Sequence, residues 1–437
     1  MLKNNNDNND HNFNIDKFYK EYLKGPKIFK KRDALDPSFV PDELPHRDRE
    51  IQIVAELTAC ALKGDTPPNF LCYGMTGTGK TATIRYVSQK LAQQNINNNL
   101  WWIYVNCSII STPYRILAHI YNTIVESEKI PPTGLPKDII FKRLLGLLDQ
   151  RIRNSVCFLV LDEIDMLKNK IDEILYDLTR LNENLDHAKT SLIGISNKLN
   201  FKDTLDPRVK SSLGEEHIVF SSYNAKELGD ILRGRAKIAF YDNVLKEDVI
   251  PWCSAIAAKE HGDARKALQL LKKAGTLAER AQNKILTKTH VEQAQDELED
   301  DQIIEYIKGL PLQAQLTLTA IFLLSKFGPE HVITSGDVYD VHSELANRIP
   351  NVKILTKRRI SDYINELAMA GIITAYTKSA GHYGRTKIIK LDNGIELILI
   401  EKILAHIEKI KDLIMYKPIR LQSNKVRLKN NVFKKLV

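Results

Sequence analysis

The sequence predicts an α/β domain built on a parallel sheet, then a small all-helical domain, then a helical module closed by a basic β-hairpin. Three observations carry this expectation. Up to about Ser222, short apolar runs rich in β-formers alternate with stretches of helical period, the pattern of a parallel sheet covered by helices on both faces. From Asn224 to about Ala294 the strand runs stop and two long segments of helical periodicity follow. Beyond residue 300, further helical stretches lead to GIITAYTKSAGHYGRTKIIKL, which reads as two strands around a Gly-rich turn.

Composition bounds the alternatives. The chain has 437 residues, 43% hydrophobic and 27% charged, ordinary values that exclude a fully disordered, collagen-like or disulfide-scaffold chain. No apolar run approaches the ~20 residues needed to cross a bilayer, and MLKNNNDNNDHNFN has no apolar signal-peptide region. Five scattered cysteines, Cys60, Cys72, Cys107, Cys157 and Cys253, fit buried thiols in a reducing compartment rather than a zinc ribbon. The expected location is therefore cytoplasmic, with no membrane partner. A formal net charge of +9 suggests a polyanion. Its distribution is more telling: residues 351–390 hold eight basic and two acidic side chains, and residues 416–437 seven basic and none acidic.

The elements follow in order. The first fourteen residues contain seven asparagines and read as disordered. DALDPSFVPDELPHRDREI, from Asp33, carries three prolines and reads as an extended connection to a first helix, with Ile51, Val54, Leu57 and Leu62 at helical spacing. NFLCY, LWWIYVN, VCFLVL and SLIGIS are the strand candidates. AKELGDILRGRAKIAF and DARKALQLLKKAGTLAERA build the helical domain, and EDDQ (Glu299–Gln302) marks a polar boundary.

The chemistry begins at Gly74-Met75-Thr76-Gly77-Thr78-Gly79-Lys80-Thr81, a full G-x-x-x-x-G-K-T between an expected strand and an expected helix. Glycines let the backbone fold round phosphates with its N–H groups inward, and the helix beginning at Lys80, with Thr81 and Ala82, turns its positive end to the same anion. Lys80 should neutralise the β/γ-phosphates and Thr81 should ligate Mg²⁺. VCFLVLDEID places Asp162 and Glu163 at the end of a buried strand. Alone, such a pair is often a helix cap; beside a P-loop it reads as a magnesium ligand, Asp162, and a residue that orients or deprotonates the attacking water, Glu163. Asp165 reads as a helix-start carboxylate. Asn197, at the tip of SLIGISN, can bridge the γ-phosphate and the water, or cap a turn. Arg208, beside Lys210 in LDPRVKSSL, reads equally as a finger for a neighbouring subunit's γ-phosphate or as a surface cation.

With these residues in hand, the sequence resembles the AAA+ ATPases, and within them the archaeal origin-recognition and cell-division-control type of replication initiator. The resemblance runs from about Leu35 to about Leu391. It implies an AAA+ P-loop domain, a small helical lid domain and a C-terminal winged-helix domain. The expected division is a disordered tail over 1–30, the base domain over 31–222, the lid over 223–300, the winged helix over 301–400, and a basic helical or tail extension over 401–437. It also implies ATP/ADP as ligand, with Val40, Pro41, His46 and Arg47 around the adenine, Tyr223 and Arg235 at the nucleotide, and Arg265 reaching the γ-phosphate from the lid. Read from the residues alone, Tyr223 fits a domain junction, Arg265 a surface ion pair, and the adenine-side four a brace for the first helix.

On the DNA side, TKRRISDYINELAMAGI is the candidate recognition helix, with Lys357, Arg358 and Arg359 at its N-terminal end and Ile360, Ile364 and Leu367 facing its own core. The hairpin tip brings Tyr383, Arg385 and Lys387 to a flexible turn suited to a narrow groove. Between the second and third strands, Ile130 to Leu148 interrupts the core pattern. In the resembling initiators an insertion here makes its own DNA contact, for which Lys137, Lys142 and Arg143 are the available cations. The function implied is an ATP-switched initiator with slow turnover that binds double-stranded origin DNA, alone or with copies of itself or paralogues, and helps recruit the replicative helicase. An ATP-sensing transcriptional regulator is the alternative; a clamp-loader-like motor is disfavoured by the winged helix.

Overall fold

A computed structural model describes residues 27–95, 99–131, 133–167, 171–328, 332–379, 385–391 and 397–422. The chain divides into two compact units, Met1–Ala294 and Gln295–Val437. The first helix, α1 (Asp48–Ala59), leads to β1 (Phe70–Gly74), α2 (Lys80–Gln94), β2 (Leu100–Asn106), α3 (Pro113–Ile124), α4 (Lys137–Arg151) and β3 (Val156–Asp162). Then come α5 (Ile171–Thr179), β4 (Lys189–Ser196), α6 (Pro207–Leu213) and β5 (His217–Phe220). The strands pair in parallel in the order β2-β3-β4-β1-β5.

Alternation within each strand explains why the runs are apolar throughout. In β3, Cys157, Leu159 and Leu161 enter one core while Val156, Phe158 and Val160 enter another on the opposite face. A strand covered on both faces has no solvent side to mark with polar residues. β1 and β3 flank β4 in the sheet, so their carboxyl ends bring the phosphate loop and the acidic pair to the same end of the parallel strands.

Helices α7 (Ala225–Ala239), α8 (Val249–Lys259) and α9 (Ala264–Arg280) complete the first unit as a helical lid. A capping box starts α7: the Asn224 side chain accepts from the Glu227 N–H at 3.0 Å, and the Glu227 carboxylate accepts from the Asn224 N–H at 2.9 Å. The expected tail reaching residue 30 is corrected here. Ile28 is fully buried, the Phe29 ring stacks on Phe240 at 4.9 Å, and Lys30 N–H donates to the Ala239 carbonyl. Apolar Ile28 and Phe29 bury against the lid; residues 1–26 lie outside the described residues.

α10 (Lys288–Gly309) spans the division between the units. The second unit contains α11 (Leu312–Phe327), β6 (Ile333–Thr334), α12 (Ser335–Ala346), α13 (Lys357–Met369), β7 (Ile373–Ser379), β8 (Arg385–Leu391), α14 (Leu397–Ala405) and α15 (Ile419–Gln422). α11 is apolar nearly all round because it is the buried centre of this unit. β7 and β8 form the expected antiparallel pair, with β6 on the other side of β8. The extension expected from residue 401 is helical over its described part and joins the core of this unit. Ile403, Leu404, Ile410, Leu413 and Ile414 pack into the winged-helix core with Ile360 and Ile364. Residues 423–437 lie outside the described residues. Among the described residues, no helix is long and apolar enough to cross a membrane.

Candidate functional site

The P-loop closes at the joint of β1 and α2. Gly77 has φ 74° and Gly79 φ 91°, and a Cβ on Gly77 would meet Asp263 Oδ1 at 1.7 Å. Only glycine satisfies both the left-handed backbone and this close approach. The loop is therefore fitted against the lid: Asp263 caps α9 through the Arg265 N–H at 2.7 Å, and Ala264 N–H donates to the Gly77 carbonyl at 3.2 Å. Residues 40–45, the loop, the acidic pair and the lid enclose a cleft of about 1020 Å³, large enough for a nucleotide.

Lys80 is buried, and its ammonium donates to the Gly74 and Met75 carbonyls at 2.8 and 2.7 Å. Burial, reinforced by the charge of Arg265, pulls its pKa down to about 8. The Thr81 hydroxyl donates to Asp162 Oδ2 at 2.9 Å, so the two expected magnesium ligands already converge. Burial pushes the Asp162 carboxyl up, and neighbouring Glu163 adds to this against the Thr81 hydrogen bond. A hydroxyl beside a desolvated carboxylate suits a hard cation that takes oxygen ligands. Glu163 has φ 56°, an unfavourable backbone for a non-glycine residue of the kind concentrated at functional sites.

Of the other expected nucleotide residues, Val40, Pro41, Thr78, Gly79, Ala82, Asn197, Tyr223, Arg235 and Arg265 line the cleft. Thr76 is exposed on the loop and Gly74 contributes its carbonyl to Lys80; neither lines the cleft. Three of the residues expected at the adenine or the nucleotide have other side-chain partners here. His46 Nε2 pairs with Asp230 at 2.8 Å and lies off the cleft. Arg235 lines the cleft, yet its guanidinium donates to the Ala34 and Phe39 carbonyls at 3.0 and 2.7 Å, clamping residues 34–39 to α7. Burial pulls that guanidinium down to about 10, still cationic at neutral pH.

Arg47 is the third. It is buried and donates to the Thr78 carbonyl at 2.9 Å and the Ser221 carbonyl at 2.6 Å, with its guanidinium 3.9 Å from the Tyr223 ring centroid. The Tyr223 hydroxyl in turn lies 2.7 Å from where a Gly79 Cβ would stand. Arg47 thus braces the P-loop rather than facing the cleft. Arg47→Ala should cost about 2–4 kcal/mol, because two carbonyls lose a charged donor. Arg47→Lys should recover only part, since a single ammonium cannot span the fork. Thermal unfolding with ATP titration checks both; an unshifted midpoint in Arg47→Ala would remove the brace.

Arg208 stands apart from the cleft. Its guanidinium is 79% exposed and pairs with Asp206 at 3.1 Å, so within this chain it touches none of the phosphate-site residues. Three contributors were not singled out from the sequence: Asp263, which abuts the loop from the lid, and Arg85 and Asn106 in the cleft wall. Asn106 was findable, because it ends β2 directly opposite Asp162.

In the second unit, the Thr356 hydroxyl caps α13 by accepting from Arg359 N–H at 3.4 Å. Lys357, Arg358 and Arg359 are exposed on its first turn, and Ile360, Ile364 and Leu367 are buried. Lys387 is not a free cation. Its ammonium donates to Ser361 Oγ at 2.8 Å and Asn365 Oδ1 at 2.6 Å, tying β8 to α13. Tyr383 lies outside the described residues, and so does the Arg385 side chain, although the Arg385 backbone opens β8. In the insertion of the first unit, Lys137 is committed to Glu173 and, at 2.7 Å, to Asp177, whereas Lys142 and Arg143 are exposed.

Comparison with known proteins agrees with this geometry. Family models match as an AAA domain over residues 64–201, a Cdc6 AAA+ ATPase-type lid domain over 229–296 and a CDC6 C-terminal winged helix domain over 305–399. The ORC1-type DNA replication protein 1 of Methanosarcina acetivorans is 44% identical over 406 residues, 92% of this chain and 96% of that protein. The ORC1-type DNA replication protein of Pyrococcus abyssi is 48% identical over 86% of this chain and 90% of its own. Among solved structures, the Aeropyrum pernix ORC1 protein in complex with DNA superposes with a TM-score of 0.76 at 41% identity, covering 88% of this chain and 99% of that one. With an AAA+ ATPase domain, a Cdc6-type lid and a winged helix in one chain, this protein belongs to the ORC1-type DNA replication proteins.

Proposed function

We propose that this chain is a replication initiator that grips origin duplex DNA under the control of bound ATP, hydrolyses ATP slowly as a switch, and helps bring the replicative helicase to the origin. The observation that carries the switch is the single cleft shared by loop and lid: Lys80, Thr81, Asp162 and Glu163 on one side, Asp263 and Arg265 on the other. A triphosphate in that cleft would meet the Lys80 ammonium and the loop N–H groups, and Arg265 would meet it from the lid. Thr81 and Asp162 would hold Mg²⁺, which when bound neutralises charge on the β- and γ-phosphates. Glu163 would take the proton of the attacking water, and Asn197 would orient that water. Loss of the γ-phosphate would remove what Arg265 reaches for and relax the lid. Arg208, exposed and off the cleft, would reach a γ-phosphate only on a neighbouring copy or paralogue.

The DNA reading rests on the exposed first turn of α13, where Lys357, Arg358 and Arg359 coincide with the positive helix end. Duplex binding measured with ATP and with ADP, across a salt series, tests both halves. ATP should give the tighter complex. The double change Arg358→Ala/Arg359→Ala should reduce the salt slope by about 2 if each cation meets one phosphate. Equal affinity in the two nucleotide states would reject the switch, and an unchanged slope would move the DNA surface elsewhere.

A further inference from the structure

Asp165 stands in the first turn of a short 3-10 helix, as expected, and its side chain also bonds the backbone of an expected nucleotide residue, Asn197. Its Oδ1 accepts the Asn197 N–H at 2.9 Å and the Ser196 hydroxyl at 3.2 Å. The Ser196 oxygen itself accepts from the Lys198 N–H at 3.0 Å, so one carboxylate oxygen organises the whole tip of β4. Asp165 lies in a short 3-10 turn, Ile164–Met166, that follows the acidic pair directly. That turn is held down at both ends. Asp162 Oδ1 accepts the Glu163 N–H at 3.0 Å, and the Glu163 carbonyl accepts the Met166 N–H at 2.9 Å. Ile164 beds onto β4 at Gly194, where a Cβ would lie 3.0 Å from Ile164 Cδ1.

We infer that Asp165 is a positioning residue: it ties the turn carrying Asp162 and Glu163 to the β4 tip carrying Asn197, and so sets where the Asn197 amide meets the attacking water. This deepens the ATPase reading and rests on it. The physical reason for a tie is geometric. β3 and β4 are bonded along their length, but their registered pairing ends at Leu161 and Gly194. Beyond it each tip is paired only on its outer side, β4 with β1 as far as Ser196 and β3 with β2 as far as Asp162, and no ladder bond joins the two tips to each other. Asp165 supplies the missing link through one oxygen that accepts from both the Asn197 N–H and the Ser196 hydroxyl. Asn197 acts through its side chain while its backbone is held, which frees the amide for the water.

The test is single-turnover ATP hydrolysis alongside ATP affinity in the full chain, for Asp165→Ala, Asp165→Asn, Ser196→Ala and Glu163→Gln. Misplacing one group by about 1 Å costs up to ~100-fold in rate, so Asp165→Ala should slow hydrolysis by ~10–100-fold. ATP affinity should stay within about threefold, because the loop and Lys80 are untouched. Both bonds use a single oxygen, and a carboxamide keeps one. Asp165→Asn should therefore recover most of the rate, and Ser196→Ala, which spares the Asn197 bond, should fall between. A rate in Asp165→Asn as low as in Asp165→Ala would show that the charge itself is required and overturn the tie. Wild-type hydrolysis in Asp165→Ala, or lost ATP affinity, would do the same. Glu163→Gln separates the two levels: full hydrolysis there defeats the ATPase reading, whereas a stalled Glu163→Gln beside an unimpaired Asp165→Ala defeats only the tie.

Discussion

Lys80→Ala abolishes tight triphosphate binding, with an expected loss of at least ~100-fold, or about 3 kcal/mol for a desolvated charge-assisted contact. The same residue gives the binding a pH dependence. Burial, and then the charge of Arg265, hold its pKa at about 8, below the ordinary 10.5. A triphosphate binds the ammonium and not the amine, so affinity should be flat below pH 8. Above it, affinity should decline by about tenfold per pH unit until the pKa of the bound state is reached. For the protein alone the sign is opposite. Between pH 8 and 10.5 the unfolded chain binds more protons at this lysine than the folded one, so its contribution to stability rises with pH across that window. Below pH 8 the buried charge opposes folding in full. Calorimetric ATP titrations at pH 7, 8 and 9 on wild type and Lys80→Ala check the linkage: the slope should vanish in the variant. Equal wild-type affinity at pH 7 and 9 would show that Lys80 stays charged in the free site.

What was legible in the sequence was contiguous chemistry. The P-loop and the acidic pair are each written in a handful of adjacent residues, and the run VCFLVL had to be a strand buried on both faces. The alternation of strand and helix then sufficed for the parallel sheet. What was not legible depends on contacts between distant segments. Arg47 meets Ser221 across 174 residues, and it does so through a backbone carbonyl, which imposes no residue type on the partner position. Asp263 reads from sequence only as a helix cap; that it also abuts Gly77 follows from the lid's placement on the loop. Asp165 does stand in the first turn of a 3-10 helix, as the sequence implies, but its side-chain partners are 31 and 32 residues on and leave no mark in the local sequence. Lys387 sits among basic residues and so reads as a DNA contact. β8 turns it toward Ser361 and Asn365 instead, where a long side chain can cover the helix surface. The same holds near residue 400, where abundant lysines give a basic composition to a helix whose Ile400, Ile403 and Leu404, at helical spacing, form a buried face.

Glu163→Gln should leave ATP binding intact and slow hydrolysis by ~10²–10⁴-fold, the range for losing a general base. The substitution is well chosen for this backbone. Glu163 holds φ 56° at the exit of β3, and glutamine bears the same left-handed cost, so the turn leading to Asp165 and the Asp162–Thr81 contact should persist. Glutamine also keeps the reach of the side chain and its ability to hydrogen-bond a water; only the capacity to take a proton is lost. The variant therefore separates chemistry from conformation. Loaded with ATP, it should hold duplex as tightly as ATP-bound wild type and, unlike wild type, keep that grip undiminished as the wild-type nucleotide is hydrolysed. Single-turnover hydrolysis followed in parallel with DNA release reads both quantities. Wild-type hydrolysis would remove Glu163 from the mechanism. Stalled hydrolysis with DNA release at the wild-type rate would leave Glu163 as the base but show that the grip on duplex is not governed by the γ-phosphate.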